Sequence, residues 1–378
     1  MLGSRLFLGV LTAAFLLLVV KIYSDSSFGH LSYSDLQISP ANPQSPDKPQ
    51  PSTSAPASPK SSQKTEKPVD KKPEGKKPDE QKPKKPNSDR EKEESWSGEP
   101  GYFKNKKEWN FDAPLEPSDE TFKPEEILIL TASNGGGHNA AIPNLLERIC
   151  EERDSYAKLH NYTHTWLNTD KYDVGDAHPV WAKIPAIADA FYQNPQAKWL
   201  WIADSDIIFM THTVKLEEML LSQKVMSEKI MKGQTLFNGM RDGKTHKTKV
   251  NMPEEPKISN LDILITQDHN GINAGSIFLR RSQFTRFILE VWTDKLLMED
   301  HWVGKEQDAL KHLLLEHPLI REHTGVFPQR MFNAYAVGGD KMGWREGDLM
   351  VHLAGCWVGG DHICKERFDE FWAKRKLE

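Results

Sequence analysis

Residues 199–210 read WLWIADSDIIFM. Trp199 to Ala203 form an unbroken apolar run of strand length, the pattern of a strand buried on both faces. The run stops at Asp204-Ser205-Asp206. In open α/β sheets, ligands bind beyond the carboxyl ends of strands. Two carboxylates one residue apart at such an end can hold one hard divalent cation. They leave other positions for phosphate oxygens and water. The competing reading is plainer: two acids that cap the next segment or face solvent. The strand-end placement and the bulky apolar approach favour the metal.

Similar punctuation recurs on either side. Ile127 to Leu130 (ILIL) is an apolar run that feeds Thr131-Ala132-Ser133-Asn134 and then Gly135-Gly136-Gly137. This predicts a buried strand and a glycine-rich loop. Helices are expected at 140–154, 180–192, 214–231, 283–295 and 307–317. Further strands are expected at 163–167, 261–266, 276–279 and 349–353, with a Lys-rich loop at 241–249. Strands alternating with helices predict an α/β domain with a mostly parallel sheet. No internal repeat is visible.

Three more segments carry polar groups suited to a site. Gln267 to Ser276 (QDHNGINAGS) reads as a glycine-punctuated loop whose Asp, Asn and Gln side chains suit sugar hydroxyls. It reads equally well as a plain turn, because Asn-Gly is a strong turn signal. His352, in VHLAGC, stands at a strand end where it could complete a metal site; a lone histidine is more often structural. The triple glycine could cradle phosphate through its N–H groups, but lacks the Lys-Ser/Thr of a P-loop.

The chain has 378 residues, a net charge of −5 and 38% hydrophobic residues. That charge offers no overall field for nucleic acid. The low apolar share comes from roughly Pro40 to Pro100, within residues 24–120, a Pro/Lys/Ser/Glu-rich stretch that cannot bury enough surface to offset its ordering entropy. We expect a disordered stem there. Before it, Leu6 to Val20 is apolar and uncharged, with Arg5 ahead and Lys21 behind. It is short against the roughly 20 residues of a full span. No small-x-small cleavage site follows, so we read 6–23 as an uncleaved signal-anchor. Residues 1–5 are then a cytoplasmic tail and 121–378 a luminal catalytic domain. Three cysteines, Cys150, Cys356 and Cys364, are too few for a disulfide scaffold and lack zinc spacing. One bridge, such as Cys356 to Cys364, is open to a luminal domain. Asn161-Tyr162-Thr163 matches the N-glycosylation acceptor pattern.

Taken in order, ILILTASNGGGHN, YAKLHNY, GDAHPVWAKIPAI, WLWIADSDIIFM, TQDHNGINAGSIFLRRS, EQDAL and MVHLAGC resemble the GMA12/MNN10 group of galactosyl-, mannosyl- and xylosyltransferases, glycosyltransferase family 34. The resemblance runs from about Glu126 to Trp372. Its branch looks most like the fungal α-1,6-mannosyltransferase subunits.

That resemblance implies a single GT-A type domain and a single-pass type II protein of the Golgi membrane. It also implies Mn²⁺, GDP-mannose as donor, a mannose-containing glycan as acceptor, and other mannosyltransferase subunits as partners. α-Galactosyl transfer from UDP-galactose and a non-catalytic accessory subunit are the alternatives. The family's acid-x-acid ligands fall on Asp204 and Asp206, and its late histidine on His352. Thr131, Ala132, Ser133 and Gly135 fall where the donor nucleotide would sit, with Ser205 and Lys183 near its phosphates. Asp268, Asn270 and Asn273 would line the sugar; Glu306 and Gln307 would lie near the reacting centre. The implied transfer retains configuration. Asp268 or Glu306 could act as nucleophile, or the acceptor could attack from the leaving-group face, the reading we favour. Trp357 stands where plant xylosyltransferases of the group carry a lysine, which favours a fungal-type donor.

Overall fold

A computed structural model describes residues 108–115, 122–241 and 244–377. Its strands are β1 Ile127–Ala132, β2 Thr163–Leu167, β3 Trp199–Ala203, β4 Ile207–Phe209, β5 Thr235–Arg241, β6 Lys244–Asn251, β7 Ile263–Asp268, β8 Gly271–Arg280, β9 Thr324–Phe327 and β10 Met350–His352. The helices used below are α1 Leu145–His160, α2 Lys183–Gln193, α3 Gln223–Lys229, α4 Gln283–Trp292, α5 Lys305–Glu316 and α6 Asp361–Trp372.

Six strands form the central sheet in the order β2-β1-β3-β8-β7-β9. β1 pairs in parallel with β2 and β3, and β7 in parallel with β9. β8 runs antiparallel to both β3 and β7. Five of the six strands therefore point the same way, the mostly parallel α/β sheet expected from the sequence. The apolar runs of β1 and β3 are buried throughout, apart from half-exposed Ala132, because layers cover both faces. On one side, α2 and α4 pack with Trp181, Ile187, Phe191 and Leu289. On the other, Tyr156 of α1 packs with Trp201, Phe209, Phe278 and Phe332. Trp201 lies stacked between Phe209 and Phe278, at 4.8 and 5.1 Å between ring centroids.

This topology gathers chain at one edge. The carboxyl ends of β1, β3 and β7 lie there, with the start of the reversed β8: Asp204 N–H donates to the Gly275 carbonyl at 2.8 Å. β4 leaves that edge and pairs with β10, setting His352 opposite Ile207.

Several details depart from expectation. The Lys-rich stretch at 241–249 is half of the β5–β6 hairpin. Solvent reaches most of β6, so no apolar alternation marked it. The polar loop at 267–276 is mostly strand: Asp268 pairs with Gly271, leaving only His269 and Asn270 as the turn. β4 and β9 are too short to announce themselves. The long helix expected at 214–231 is a π-helical turn, Glu217–Leu221, followed by α3. Trp109, Phe111 and Ala113, inside the stretch read as stem, are buried, and Phe111 stacks on Phe191.

The expected anchor at 6–23 and the rest of the stem lie outside the described residues. Among those described, no helix is long and apolar enough to cross a membrane. Cys356 and Cys364 form a disulfide. Cys150 is buried in α1, outside the bridge.

Candidate active site

At the gathered edge, Asp204, Asp206 and His352 each offer a ligand atom, all within 4.8 Å of one another. Asp204 follows β3, Asp206 precedes β4, and His352 ends β10, so the β4–β10 pairing brings the imidazole to the acidic turn. His352 Nε2 lies 3.4 Å from Asp206 Oδ1. Its Nδ1 lies 2.8 Å from Asn333 Oδ1. An amide oxygen only accepts, so Nδ1 carries the proton and donates, leaving Nε2 to face the carboxylates. Burial opposes a charge on His352, yet Asp206 and Asp204 hold it above the usual histidine range. Two carboxylates and one oriented imidazole are a donor set that fits a borderline or hard divalent cation.

Lys183, at the start of α2, is buried beside this cluster. Its Nζ lies 2.8 Å from Asp204 Oδ1 and 3.2 Å from Glu306 Oε1, and it reaches the Ala274 carbonyl at 3.5 Å. Burial works against the ammonium, but the two carboxylates hold its pKa above the ordinary lysine range. Burial pushes Glu306 upward, and Lys183 partly offsets this.

The β7–β8 turn supplies the next residues. Asp268 is buried, and its carboxylate accepts from Tyr335 Oη and from Asn270 N–H, both at 2.6 Å. Asn273 Oδ1 accepts from Asn333 Nδ2 at 2.9 Å and from Gly275 N–H at 3.0 Å. Gln307 Oε1 accepts from Ala274 N–H at 3.3 Å. Asn333 thus joins Asn273 to His352, and Ala274 joins Lys183 to Gln307. Asn270 is exposed on the turn.

The first loop meets the acidic turn through Ser133 Oγ, 3.4 Å from Ser205 Oγ. Ser133 Oγ also accepts from Gly135 N–H at 3.1 Å. Ala132, at the end of β1, is half-buried. Thr131 is placed differently: its side chain is fully buried and turned toward Arg153 and His164. The loop is bridged to the C-terminal segment. His138 stacks on Trp357 at 4.8 Å between ring centroids, and its Nδ1 lies 2.9 Å from Asp361 Oδ1.

Arg153, Asn333 and Tyr335 are part of this network and were not singled out from sequence; Gly275 had been marked only as one glycine of the 267–276 stretch. Arg153 had a signal: Ile149, Arg153 and Tyr156 share the buried face of α1, so a cation stands on an apolar stripe. Asn333 and Tyr335 lie in irregular chain, where no periodicity points to them.

A family model described as the galactosyl transferase GMA12/MNN10 family matches residues 123–363. A probable alpha-1,2-galactosyltransferase of Schizosaccharomyces pombe is 34% identical over 254 residues, 67% of this chain and 74% of that protein. An alpha-1,2-galactosyltransferase of the same yeast is 31% identical, over 61% of this chain and 62% of that one. The probable alpha-1,6-mannosyltransferase MNN10 of Saccharomyces cerevisiae is 30% identical, over 63% of each. Among solved structures, a glycosyltransferase involved in glycosylation of the major capsid of PBCV-1 aligns with a TM-score of 0.43 at 12% identity, over 62% of this chain and 98% of that one.

Proposed function

The chain belongs to the galactosyl transferase GMA12/MNN10 family, and from that premise we propose that it moves a hexose from a nucleotide sugar to a glycan hydroxyl at a divalent-metal site formed by Asp204, Asp206 and His352. The observation that carries this reading is the convergence of those ligand atoms within 4.8 Å beside the buried Lys183–Glu306 pair.

The bond broken joins a sugar to a diphosphate, and negative charge builds on the leaving phosphate. A bound divalent ion supplies Lewis-acid stabilisation of that charge. The chain's own residues set the stage. Lys183, charged and buried next to Asp204, adds a fixed cation where the charge develops. Asn333 fixes the His352 ring, and Asn273 with Gln307 fixes the backbone at Ala274 and Gly275. Glu306 is engaged by Lys183, and Asp268 by Tyr335 and Asn270. Both carboxylates are thus already held by neighbouring groups, which favours acceptor attack from the leaving-group face over attack by either.

The resemblance of the sequence favoured GDP-mannose. The two S. pombe relatives, at 34% and 31% identity, are named galactosyltransferases, and their names favour α-galactosyl transfer from UDP-galactose. Mannosyl transfer is the second reading, because MNN10 shares 30%. A luminal domain on a type II anchor is part of the proposal. The apolar run at 6–20 and the Cys356–Cys364 bridge support it, since such bridges persist in oxidising compartments.

The test is transfer by the whole chain from a panel of nucleotide sugars, with Mn²⁺ and with chelator. Mn²⁺-dependent use of UDP-galactose is the expected result. Preference for GDP-mannose keeps the site and replaces the donor. Turnover unaffected by chelator removes the metal from the reading.

A further inference from the structure

Arg153 is a buried cation that takes no part in the proposed transfer. It sits in α1 with no exposed surface. Its Nη1 donates to Thr131 Oγ1 at 2.6 Å and to the Ala203 carbonyl at 3.0 Å. Its Nη2 donates to the carbonyls of Asp204 at 2.7 Å and Ile207 at 3.2 Å. Those carbonyls bracket the Asp204–Asp206 turn, so one planar group ties together the ends of β1 and β3 and the start of β4.

A second chain of contacts stands behind it. Thr131 Oγ1 lies 2.9 Å from His164 Nε2, and His164 Nδ1 lies 2.8 Å from Asp154 Oδ1. Because the Thr131 oxygen accepts from Arg153, its own proton can go to Nε2, while Nδ1–H donates to Asp154. Donors and acceptors then match along the whole path. The His164 side chain is buried, whereas that of Asp154 reaches solvent.

Burying a guanidinium is costly, and apolar residues often stabilise a core better. The cost is not fully met here, since Arg153 Nε–H is buried without an acceptor. What the guanidinium gives that an apolar residue cannot is a rigid fork aimed at three carbonyls of one turn.

We propose that Arg153 is a positioning residue for the acidic turn: it holds the backbone of Asp204 and Ile207 so that both carboxylates meet at ion-binding distance, and Asp154, His164 and Thr131 hold the fork in its plane. This rests on the reading of Asp204, Asp206 and His352 as metal ligands.

The experiment is titration of the whole chain with Mn²⁺, following loss of the free-ion electron paramagnetic resonance signal, beside a thermal melt followed by circular dichroism. Arg153→Lys keeps the charge and loses the fork. The expected result is a cooperative melt with Mn²⁺ affinity weakened about tenfold or more, the range seen when groups supporting a ligand are removed. Wild-type affinity in a folded Arg153→Lys chain overturns the inference alone. A wild-type chain that takes up no Mn²⁺ overturns the metal reading and the inference with it. Should Arg153→Lys not fold, His164→Phe carries the test, since it keeps the guanidinium and removes the partner behind Thr131 that holds it in its plane. A severalfold weaker Mn²⁺ affinity supports the proposal, and an unchanged one overturns it.

Discussion

The ring of His352 fills the space where a side chain at Gly275 would stand. A β-carbon there would overlap Cε1 of the imidazole and lie 3.0 Å from Nε2. The two positions are remote in sequence and meet because β8 pairs with β3 while β10 pairs with β4. Gly275 is thus glycine for want of room, not for a special φ. Gly275→Ala is expected to displace the imidazole, lowering kcat/KM by about tenfold or more and raising the Mn²⁺ needed for half activity, in line with lost ligand support. Both are read from turnover against Mn²⁺ concentration. A Gly275→Ala chain with an unchanged Mn²⁺ requirement would show that His352 is no ligand.

Lys183 separates two carboxylates, Asp204 and Glu306, in a buried setting. Removing one partner of a buried pair leaves an uncompensated charge and costs about 3–5 kcal/mol. Lys183→Met is therefore expected to destabilise the fold by that order in a urea titration and to abolish measurable transfer. Adding Glu306→Gln removes one of the orphaned acids, so the double variant should recover part of the stability, with a coupling of about 1 kcal/mol or more. Additive losses would mean that the two side chains do not sense each other.

Legibility in the sequence followed burial on both faces. β1 and β3 stood out because their runs are apolar without alternation, and the acidic turn stood out because it ends such a run. β6, with Lys244, His246, Lys247 and Lys249 open to solvent, had no pattern to show. Asp204, Asp206 and His352 were nameable at strand ends, and Lys183 and Glu306 through the family resemblance, but their mutual distances come from strand pairing and from the placement of α2 and α5. Gly275 was marked only as a loop glycine and Asn333 not at all, because each acts through a residue distant in the chain. Arg153 was visible as a cation on the apolar stripe of α1. Its target, the backbone of the acidic turn, was not.

Trp357 and His138 join the segment after β10 to the loop after β1. Cys356, held to Cys364, lies beside Asn139 on that loop. Trp357 is about half exposed, at 48%, so its replacement removes little core. Trp357→Ala is expected to leave the melting temperature within a few degrees. The proposed donor site lies against this loop, so the donor KM should rise severalfold with a smaller change in kcat. Steady-state kinetics at saturating Mn²⁺ reads both. A fall confined to kcat would place Trp357 in the chemical step instead.

Glu152, one position before Arg153, is fully buried. Its Oε1 accepts from Phe209 N–H at 3.2 Å and lies 3.3 Å from Arg375 Nη1. Burial pushes its carboxyl up to about 7, although Arg153 and Arg375 pull it down. The unfolded chain gives up this proton near 4.5. Between those two values the folded chain binds more protons, so stability falls as pH rises. Below about 4.5 both states are protonated and the penalty is absent; above about 7 it is complete, and amounts to roughly 3 kcal/mol. Glu152→Gln keeps an oxygen for Phe209 N–H and removes the titration. Its stability relative to wild type should therefore be near zero or slightly negative at pH 5 and should rise toward pH 7.5, as urea unfolding at the two pH values would show. Comparing the variant with wild type at each pH cancels contributions common to both chains. A difference that does not change with pH would mean that Glu152 is ionised in the fold throughout, with Arg153 and Arg375 outweighing its burial.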